Sequence, residues 1–151
     1  MHIATQFSVF LVNKPGVLAQ VTGNLADAKV NIVAMTMTDS MEHGVLRLVA
    51  ENPEKAREVV NSLNIPVTET EVMAVPLANR PGALADVCQR LAAAHININY
   101  AYSTARSARG QTTAILKVAD LKKGMKVLES RRPRRKEPAG KLRHPRVTKR
   151  K

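Results

Sequence analysis

Hydrophobic residues in the first part of the chain follow a strand-like pattern and then a helix-like one. The run "FSVFLV" at positions 7–12 is mainly aromatic and β-branched, and the turn residues "NKPG" follow it. Such a run, ended by a turn signal, is typical of a buried strand. Beyond the turn, apolar residues recur every three or four positions at Leu18, Val21, Leu25 and Ala28. This spacing predicts an amphipathic helix.

The period then returns to two in "NIVAMTMT" (31–38), which predicts a second strand. We expect a turn at "DSMEHG" and an antiparallel strand at "VLRLVA". Asn52, Pro53 and Glu54 are favourable residues for the start of a second helix, since they supply a cap, a first-turn proline and an acid. We expect this helix to end before Pro66.

The same sequence pattern returns sixty-six residues later. Positions 79–98 ("NRPGALADVCQRLAAAHINI") are identical to positions 13–32 at 11 of 20 places without a gap. The apolar stripe of the helix is repeated as well, at Leu84, Val87, Leu91 and Ala94. The chain therefore contains an internal duplication of one structural unit.

The stretch "VTETEVMAVPL" (67–77) is the only segment between the second helix and the repeated turn. We predict one long strand there, which closes the first unit and opens the second. A continuous strand cannot act as a flexible linker, so we expect the two units to sit in a fixed relation. The predicted domains are residues 1–69 and residues 70–129.

The second unit lacks an obvious last strand. After "LKKGMKVLES" the chain continues as a basic segment, 130–151, whose only sizeable apolar residues are Leu142 and Val147. Burying both would contribute about 3 to 6 kcal/mol, whereas ordering each residue of the segment costs about 1 to 2 kcal/mol. We therefore predict a disordered tail.

The net charge of +12 is concentrated in this tail. Residues 1–129 hold 13 basic and 11 acidic residues, whereas residues 130–151 hold 11 basic residues and one acid. The high pI is thus no indication that the folded part binds nucleic acid. The tail is either a solvated extension without a partner or a contact for a polyanion, driven by counterion release.

Other features of the sequence suggest no catalytic or metal chemistry. Cys88 is the only cysteine, and the four histidines have no spacing typical of metal ligands. We predict no cofactor and no metal. The start of the chain has no basic segment before a long apolar run, so we expect a cytoplasmic protein that does not enter a membrane.

The duplicated motif resembles the ACT domain, a small amino-acid-sensing module of metabolic enzymes. The resemblance rests on a strand, an Asn-x-Pro-Gly-x-Leu-Ala turn into a helix, and an Asn-Ile pair at the start of the next strand. It covers residues 5 to about 129 and points to a protein of two tandem ACT domains. It implies an α+β fold of two ferredoxin-like βαββαβ units with antiparallel sheets, in a non-catalytic regulatory protein.

The resemblance also implies a ligand site in the seam between paired units, where the turn of one unit faces the second strand of another. The usual ligand is a free amino acid, and the sheets of such units pair side by side with those of a neighbour. For this chain we expect a homodimer. A helix N-terminus can hold the ligand carboxylate, and an Asn amide can accept from its ammonium group. The implied ligand contacts are Asn13, Lys14, Pro15, Gly16, Val17, Leu18, Asn31, Ile32, Asn79, Arg80, Pro81, Gly82, Ala83, Leu84, Asn97 and Ile98.

Several alternatives stay open at this point. Asn13 and Asn79 are also preferred N-cap residues, so both could be purely structural. Leu11 and Leu77 stand where some serine-sensing members have His, so the turns do not identify the amino acid. The alternative function is an interaction module in which the ACT pair is a dimerisation scaffold and the tail contacts a polyanion.

Overall fold

The computed structural model describes residues 1–39, 43–104 and 112–130. Within these ranges the order of helices and strands agrees with the sequence prediction, and the fold is α+β with ferredoxin-like repeats. The elements are β1 (His2–Val12), α1 (Val17–Asp27), β2 (Ile32–Asp39), β3 (His43–Ala50), α2 (Pro53–Ser62), β4 (Val67–Leu77), α3 (Ala83–Ala93), β5 (Ile98–Ser103), β6 (Thr112–Val118) and α4 (Leu121–Glu129). The predicted tail begins at Ser130, and its residues 131–151 lie outside the described ranges.

The start of α2 confirms the helix signal in the sequence. The Asn52 side chain accepts a hydrogen bond from the Lys55 backbone N–H at 3.0 Å, and Pro53 occupies the first turn. Asp120 plays the same part for α4, where it accepts from the Lys123 N–H at 2.9 Å. In both cases a short polar side chain satisfies one of the N–H groups that a helix start leaves unpaired.

All strands within the described residues belong to one six-stranded antiparallel sheet with the order β2-β3-β1-β4-β6-β5. The long strand predicted at Val67–Leu77 is confirmed, because β4 spans these residues and pairs with both β1 and β6. The two units are therefore joined through a shared hydrogen-bonded ladder. The predicted boundary between residues 69 and 70 falls inside this strand, and it stays a prediction.

Strand β1 occupies the place of the strand that the second unit lacks. In the first unit the last strand, β4, lies beside the first strand, β1. The second unit opens with β4, which has β6 of its own unit on one side and β1 on the other. Each unit thus uses the first strand of the other as its last. This arrangement explains why β1 begins at His2 and not at position 7, since its early residues pair with β4.

The pairing register of β1 and β4 makes the arrangement symmetric. Thr5 lies opposite Glu71, and these two residues are also equivalent in the internal duplication, sixty-six positions apart. The two units are consequently related by an approximate two-fold axis that passes between this pair. The strand-to-helix turns, which follow Val12 and Leu77, therefore lie at opposite ends of the sheet.

The helices cover one face of the sheet, and each unit has its own core there. The first core contains the buried residues Phe7, Val9, Leu11, Val21, Leu25, Leu46, Leu48 and Val60. The second contains Met73, Val75, Leu91, Ile96, Ala114, Leu116 and Val118. Arg57 on α2 pairs with Glu69 on β4 at 2.6 Å and fastens the first core at its margin. The hydrogen bonds from Arg57 hold the pKa of the Glu69 carboxyl below its usual value.

The opposite face of the sheet carries a buried polar cluster that joins the two units. The Gln6 side chain on β1 is fully buried and donates to the Tyr100 hydroxyl at 2.8 Å, while the Tyr102 hydroxyl donates to its Oε1 at 3.0 Å. The Arg47 guanidinium lies over the Tyr100 ring, 4.8 Å from its centroid. Burial raises the pKa of the Tyr102 hydroxyl, and the neighbouring Tyr100 adds to the effect. Two tyrosines of β5 are thereby held on β1 and β3.

We expect Tyr102→Phe to lower the free energy of unfolding by about 1 to 3 kcal/mol, since it leaves the buried Oε1 of Gln6 without a donor. Urea unfolding of both proteins would measure the difference. Thr38→Val is a suitable control because it removes the exposed hydrogen bond from Arg47 to Thr38, where both groups can turn to water. We expect it to change stability by less than about 0.5 kcal/mol. Equal effects of the two variants would contradict a structural role for the cluster.

Candidate functional site

The two strand-to-helix turns have the same backbone conformation. Gly16 and Gly82 are the N-caps of α1 and α3, with φ of 89° and 82° in the left-handed region. A residue with a Cβ is strained there, so the repeated glycine is a requirement of the backbone. Neither helix start receives a side-chain capping bond. The interpretation of Asn13 and Asn79 as N-caps is therefore wrong, because the cap lies three residues further along in each turn.

The start of α1 consequently presents unpaired hydrogen-bonding groups to solvent. The Val17 N–H reaches back to the Lys14 carbonyl at 3.4 Å, and the Gln20 N–H pairs with the Gly16 carbonyl at 2.9 Å. The N–H groups of Leu18 and Ala19, between them, have no acceptor among the described residues. The first turn of a helix carries a partial positive charge, so this place favours an anionic group.

The predicted turn residues are accessible to a ligand. Asn13, Lys14, Pro15 and Gly16 are exposed, as are Asn79, Arg80, Pro81 and Gly82. Val17, Leu18 and Ala83 are half-buried, and the Leu84 side chain is 44% exposed. Neither the Asn13 nor the Asn79 amide makes a hydrogen bond within the described part of the chain.

The second turn borders an open groove of about 520 Å³. Its lining includes the turn itself and four residues that the sequence did not single out as ligand contacts: Leu77, Ala78, Ala85 and Thr112. Arg80 differs from its counterpart Lys14 because its guanidinium pairs with Asp86 at 2.6 Å. Asp86 was missed in the sequence because the equivalent position in the first copy is Gln20 and the repeat gave no sign of it.

The structure holds the second predicted asparagine of each unit far from the turn of the same unit. Asn31 donates to the Glu51 carboxylate at 3.3 Å, and its carbonyl accepts from the Glu51 N–H at 3.0 Å. Ile32 pairs with Ala50 of β3. On the other side of β3, Val49 pairs with Gln6, so Ala50 and Ile32 are level with Thr5 of β1. Since β1 and β2 run parallel, Asn31 lies at least eight residues of strand away from Asn13. That separation is on the order of 26 Å at about 3.3 Å per residue.

Asn97 has the corresponding position in the second unit. Its carbonyl accepts from the Ala119 N–H at 3.1 Å, and it precedes β5 at the other edge of the sheet. Ile32 and Ile98, which follow the two asparagines, are half-buried and pack against the first and second core, respectively. Within each unit, the turn and the second asparagine therefore lie apart.

Comparison with known proteins identifies the family. A family model described as "ACT domain pair" matches residues 1–130, and the chain belongs to this family. Protein BT0572 from Bacteroides thetaiotaomicron is 32% identical, with 83% of this chain and 86% of that chain covered and a TM-score of 0.76. The duplicated fold is thus a pair of ACT domains, as the turn motifs indicated.

More distant solved structures share the fold. The regulatory subunit of aspartate kinase from Thermus thermophilus, in a ligand-free form, is 13% identical over 85% of this chain and 95% of that chain, with a TM-score of 0.60. The corresponding subunit from Thermus flavus is 16% identical over 84% and 93% of the chains, with a TM-score of 0.53. No curated protein matched the sequence. None of these comparisons indicates a catalytic family.

The described residues contain neither a membrane-spanning helix nor a cluster of metal ligands. No helix in the described ranges is long and apolar enough to cross a membrane. No three His, Cys, Asp or Glu side chains within residues 1–39, 43–104 and 112–130 lie close enough together to hold a metal ion.

The left-handed conformation of the turn glycine can be tested within one helix. Gly16→Ala should lower the free energy of unfolding by about 1 to 2 kcal/mol, because a residue with a Cβ is strained at a φ of 89°. No atom lies within 4 Å of the added Cβ, so the change in stability reports the backbone strain and not a steric clash. Gly23→Ala is the matched control, since Gly23 lies inside α1 and its added Cβ also meets nothing within 4 Å. We expect this variant to be more stable by about 0.5 to 1 kcal/mol. Urea unfolding measures both; two changes of the same sign would contradict the assignment.

Proposed function

We propose that this protein is a non-catalytic regulatory module of the cytoplasm that binds a free amino acid. Each site consists of the strand-to-helix turn of one chain and the second-strand asparagine of another. The observation that supports this most directly is the exposed helix start after the left-handed glycine, where N–H groups of Leu18 and Ala19 have no acceptor in the described chain. The proposed contacts are those predicted from the sequence in turns 13–18 and 79–84 and at 31–32 and 97–98.

The chemistry of the turn suits an amino-acid zwitterion. The ligand carboxylate accepts from the free N–H groups at the start of α1 and is favoured by the helix dipole. The Asn13 side-chain oxygen accepts from the ligand ammonium group, and the Asn13 amide can also donate. A few such contacts are sufficient for sensing, because micromolar to millimolar affinity corresponds to about 4 to 8 kcal/mol.

A second copy of the chain can supply the missing asparagine through the edge strand β2. Val33, Met35 and Met37 are 39%, 38% and 37% exposed, so an apolar stripe follows this edge. In an antiparallel pair of β2 strands centred on Met35, Met35 opposes its own copy and Val33 opposes Met37. Such a stripe is complementary to itself, as a two-fold interface requires.

The same pairing brings the two halves of the first site level with each other. When Met35 is at the centre, Asn31 of the second copy lies opposite Asp39. Asp39 pairs with Gly44, and Gly44 pairs with Leu11, only two residues before Asn13. A homodimer through β2 therefore supports two equivalent sites, each with one Asn13 and one Asn31.

The other edge of the sheet is less suited to this pairing. The positions on β5 equivalent to the apolar stripe are Asn99, Ala101 and Ser103, which offer little apolar surface. A site at the second turn would need Asn97 from a further chain at this polar edge. We therefore infer that the first turn forms the stronger amino-acid site.

The regulatory role is also supported by the neighbours, since those from the two Thermus species are named as regulatory subunits of aspartate kinase. The alternative function, an interaction module with a polyanion contact through the basic tail, remains a prediction. Residues 131–151, on which that contact depends, lie outside the described part of the chain.

The proposed interface predicts different effects of a lysine at equivalent positions of the two edges. Met35→Lys should weaken dimerisation by at least about 100-fold, because apolar contact is lost in both copies and two like charges meet. Ala101→Lys, sixty-six residues later on β5, should leave the dimer unchanged. Sedimentation equilibrium measures both. A monomeric wild-type chain at micromolar concentration, or a dimer broken only by Ala101→Lys, would contradict the proposal.

The shared site can be tested with mixed dimers, after a thermal-shift screen of the twenty amino acids has identified the ligand. Asn13→Ala and Asn31→Ala homodimers should each bind it about tenfold more weakly, the effect of one lost hydrogen bond. A dimer with one chain of each variant has one intact site and one doubly altered site. Titration calorimetry should therefore show wild-type affinity at half the stoichiometry.

Two results would count against this design. If no amino acid raises the melting temperature at millimolar concentration, the sensing function is wrong. If a ligand binds but the mixed dimers bind no better than the two homodimers, the asparagines do not share a site across chains.

A further inference from the structure

A second, smaller cavity lies on the inner side of the second turn, between the start of α3 and the end of β4. Its volume is about 130 Å³, the space of a few water molecules. Its apolar wall includes Leu77 and Val87, and its charged groups are Arg80, Asp86 and Arg90. The cavity is thus bordered by two guanidinium groups and one carboxylate.

The two arginines have donors left over for a ligand. Arg80 uses one nitrogen for Asp86 at 2.6 Å and another for a long 3.4 Å contact with the Pro81 carbonyl. Arg90 uses a single nitrogen, Nη2, which donates to the carbonyls of Val127 and Ser130 at the end of α4. A guanidinium carries five N–H donors, so both groups can donate further hydrogen bonds to the oxygens of an anion.

The first unit has no equivalent of this charge arrangement. The positions that correspond to Arg80, Asp86 and Arg90 are Lys14, Gln20 and Asn24. Asn24 donates instead to the Gln20 carbonyl of its own helix. The charged set is therefore a property of the second unit alone and not a consequence of the duplicated fold.

We propose that this cavity is a binding site for a small oxyanion, a carboxylate or inorganic phosphate, held by Arg80 and Arg90. Asp86 forms an ion pair with the Arg80 guanidinium when the site is empty, and the ligand displaces the Asp86 carboxylate. Guanidinium groups bind carboxylate and phosphate oxygens in a fixed, often bidentate geometry, which suits a cavity of this size. The cavity shares Arg80 and Ala83 with the contacts proposed for the second amino-acid site, but it needs no residue of a second chain and lies on the inner side of the turn.

The position of Arg90 connects this site to the end of α4. The same guanidinium that borders the cavity holds the Val127 and Ser130 carbonyls, and the Ser130 contact is 2.7 Å long. An anion bound to Arg90 therefore changes the surroundings of the last helical turn described before the basic tail. Backbone amide signals of residues 127–130 should report its binding.

The test is a titration of the full chain with sodium phosphate, and separately with sodium acetate, at constant ionic strength, followed by amide NMR. We expect saturable shifts at Arg80, Asp86, Arg90 and residues 127–130, with one anion binding more tightly than the other. Arg80→Gln should weaken this binding at least tenfold, whereas Lys14→Gln, the equivalent change in the first unit, should leave it unchanged. The basic tail can also attract anions, but its response would be insensitive to Arg80→Gln.

Asp86→Asn tests the displacement step. Removal of the internal carboxylate should tighten anion binding by about twofold to fivefold, the range expected for an exposed ion pair. Shifts confined to the tail, or equal effects of Arg80→Gln and Lys14→Gln, would overturn the site. Weaker binding in Asp86→Asn would overturn the displacement. No amino acid is present in this experiment, so its failure would leave the sensing proposal untouched.

Discussion

The antiparallel ladder between β1 and β4 is the constraint on which the rest of the structure depends. Each of these strands is the first strand of its own unit and the last strand of the other. Because the ladder is centred on the Thr5–Glu71 pair, it fixes the two-fold relation of the units and closes the gap left by the missing strand. Neither unit has a complete sheet without the other, so the pair is one structural body.

The same ladder separates the parts of each predicted ligand site. It directs the two turns to opposite ends of the sheet and leaves β2 and β5 at its two edges. Parallel β1 and β2 then hold Asn13 and Asn31 on the order of 26 Å apart. Covalent duplication thus completes the fold of the units, whereas the sites that we propose take their second asparagine from another chain.

The sequence predicted local features well because their causes are local. The shared strand Val67–Leu77 and the Asn52 cap follow from runs of residue types next to each other. Asn13 stayed open as a cap of α1 because it is a good capping residue in isolation, but the left-handed Gly16 moves the helix start beyond it. The place of β1 beside β4 and the burial of Gln6 against two tyrosines were not predictable, since they depend on pairing between distant segments.

The two copies have diverged where the fold allows it. Their cores keep the duplicated pattern, because Val21, Leu25 and their counterparts Val87 and Leu91 must fill the same space beneath a helix. Their surfaces differ. The first copy has an apolar stripe on its edge strand, and the second has the arginine–aspartate pair beside its turn. Surface positions are free to change without loss of packing, so the differences between the copies are the best indication of separate roles. A pairing edge and an anion-binding turn on one rigid sheet would let a single chain combine assembly with two kinds of ligand.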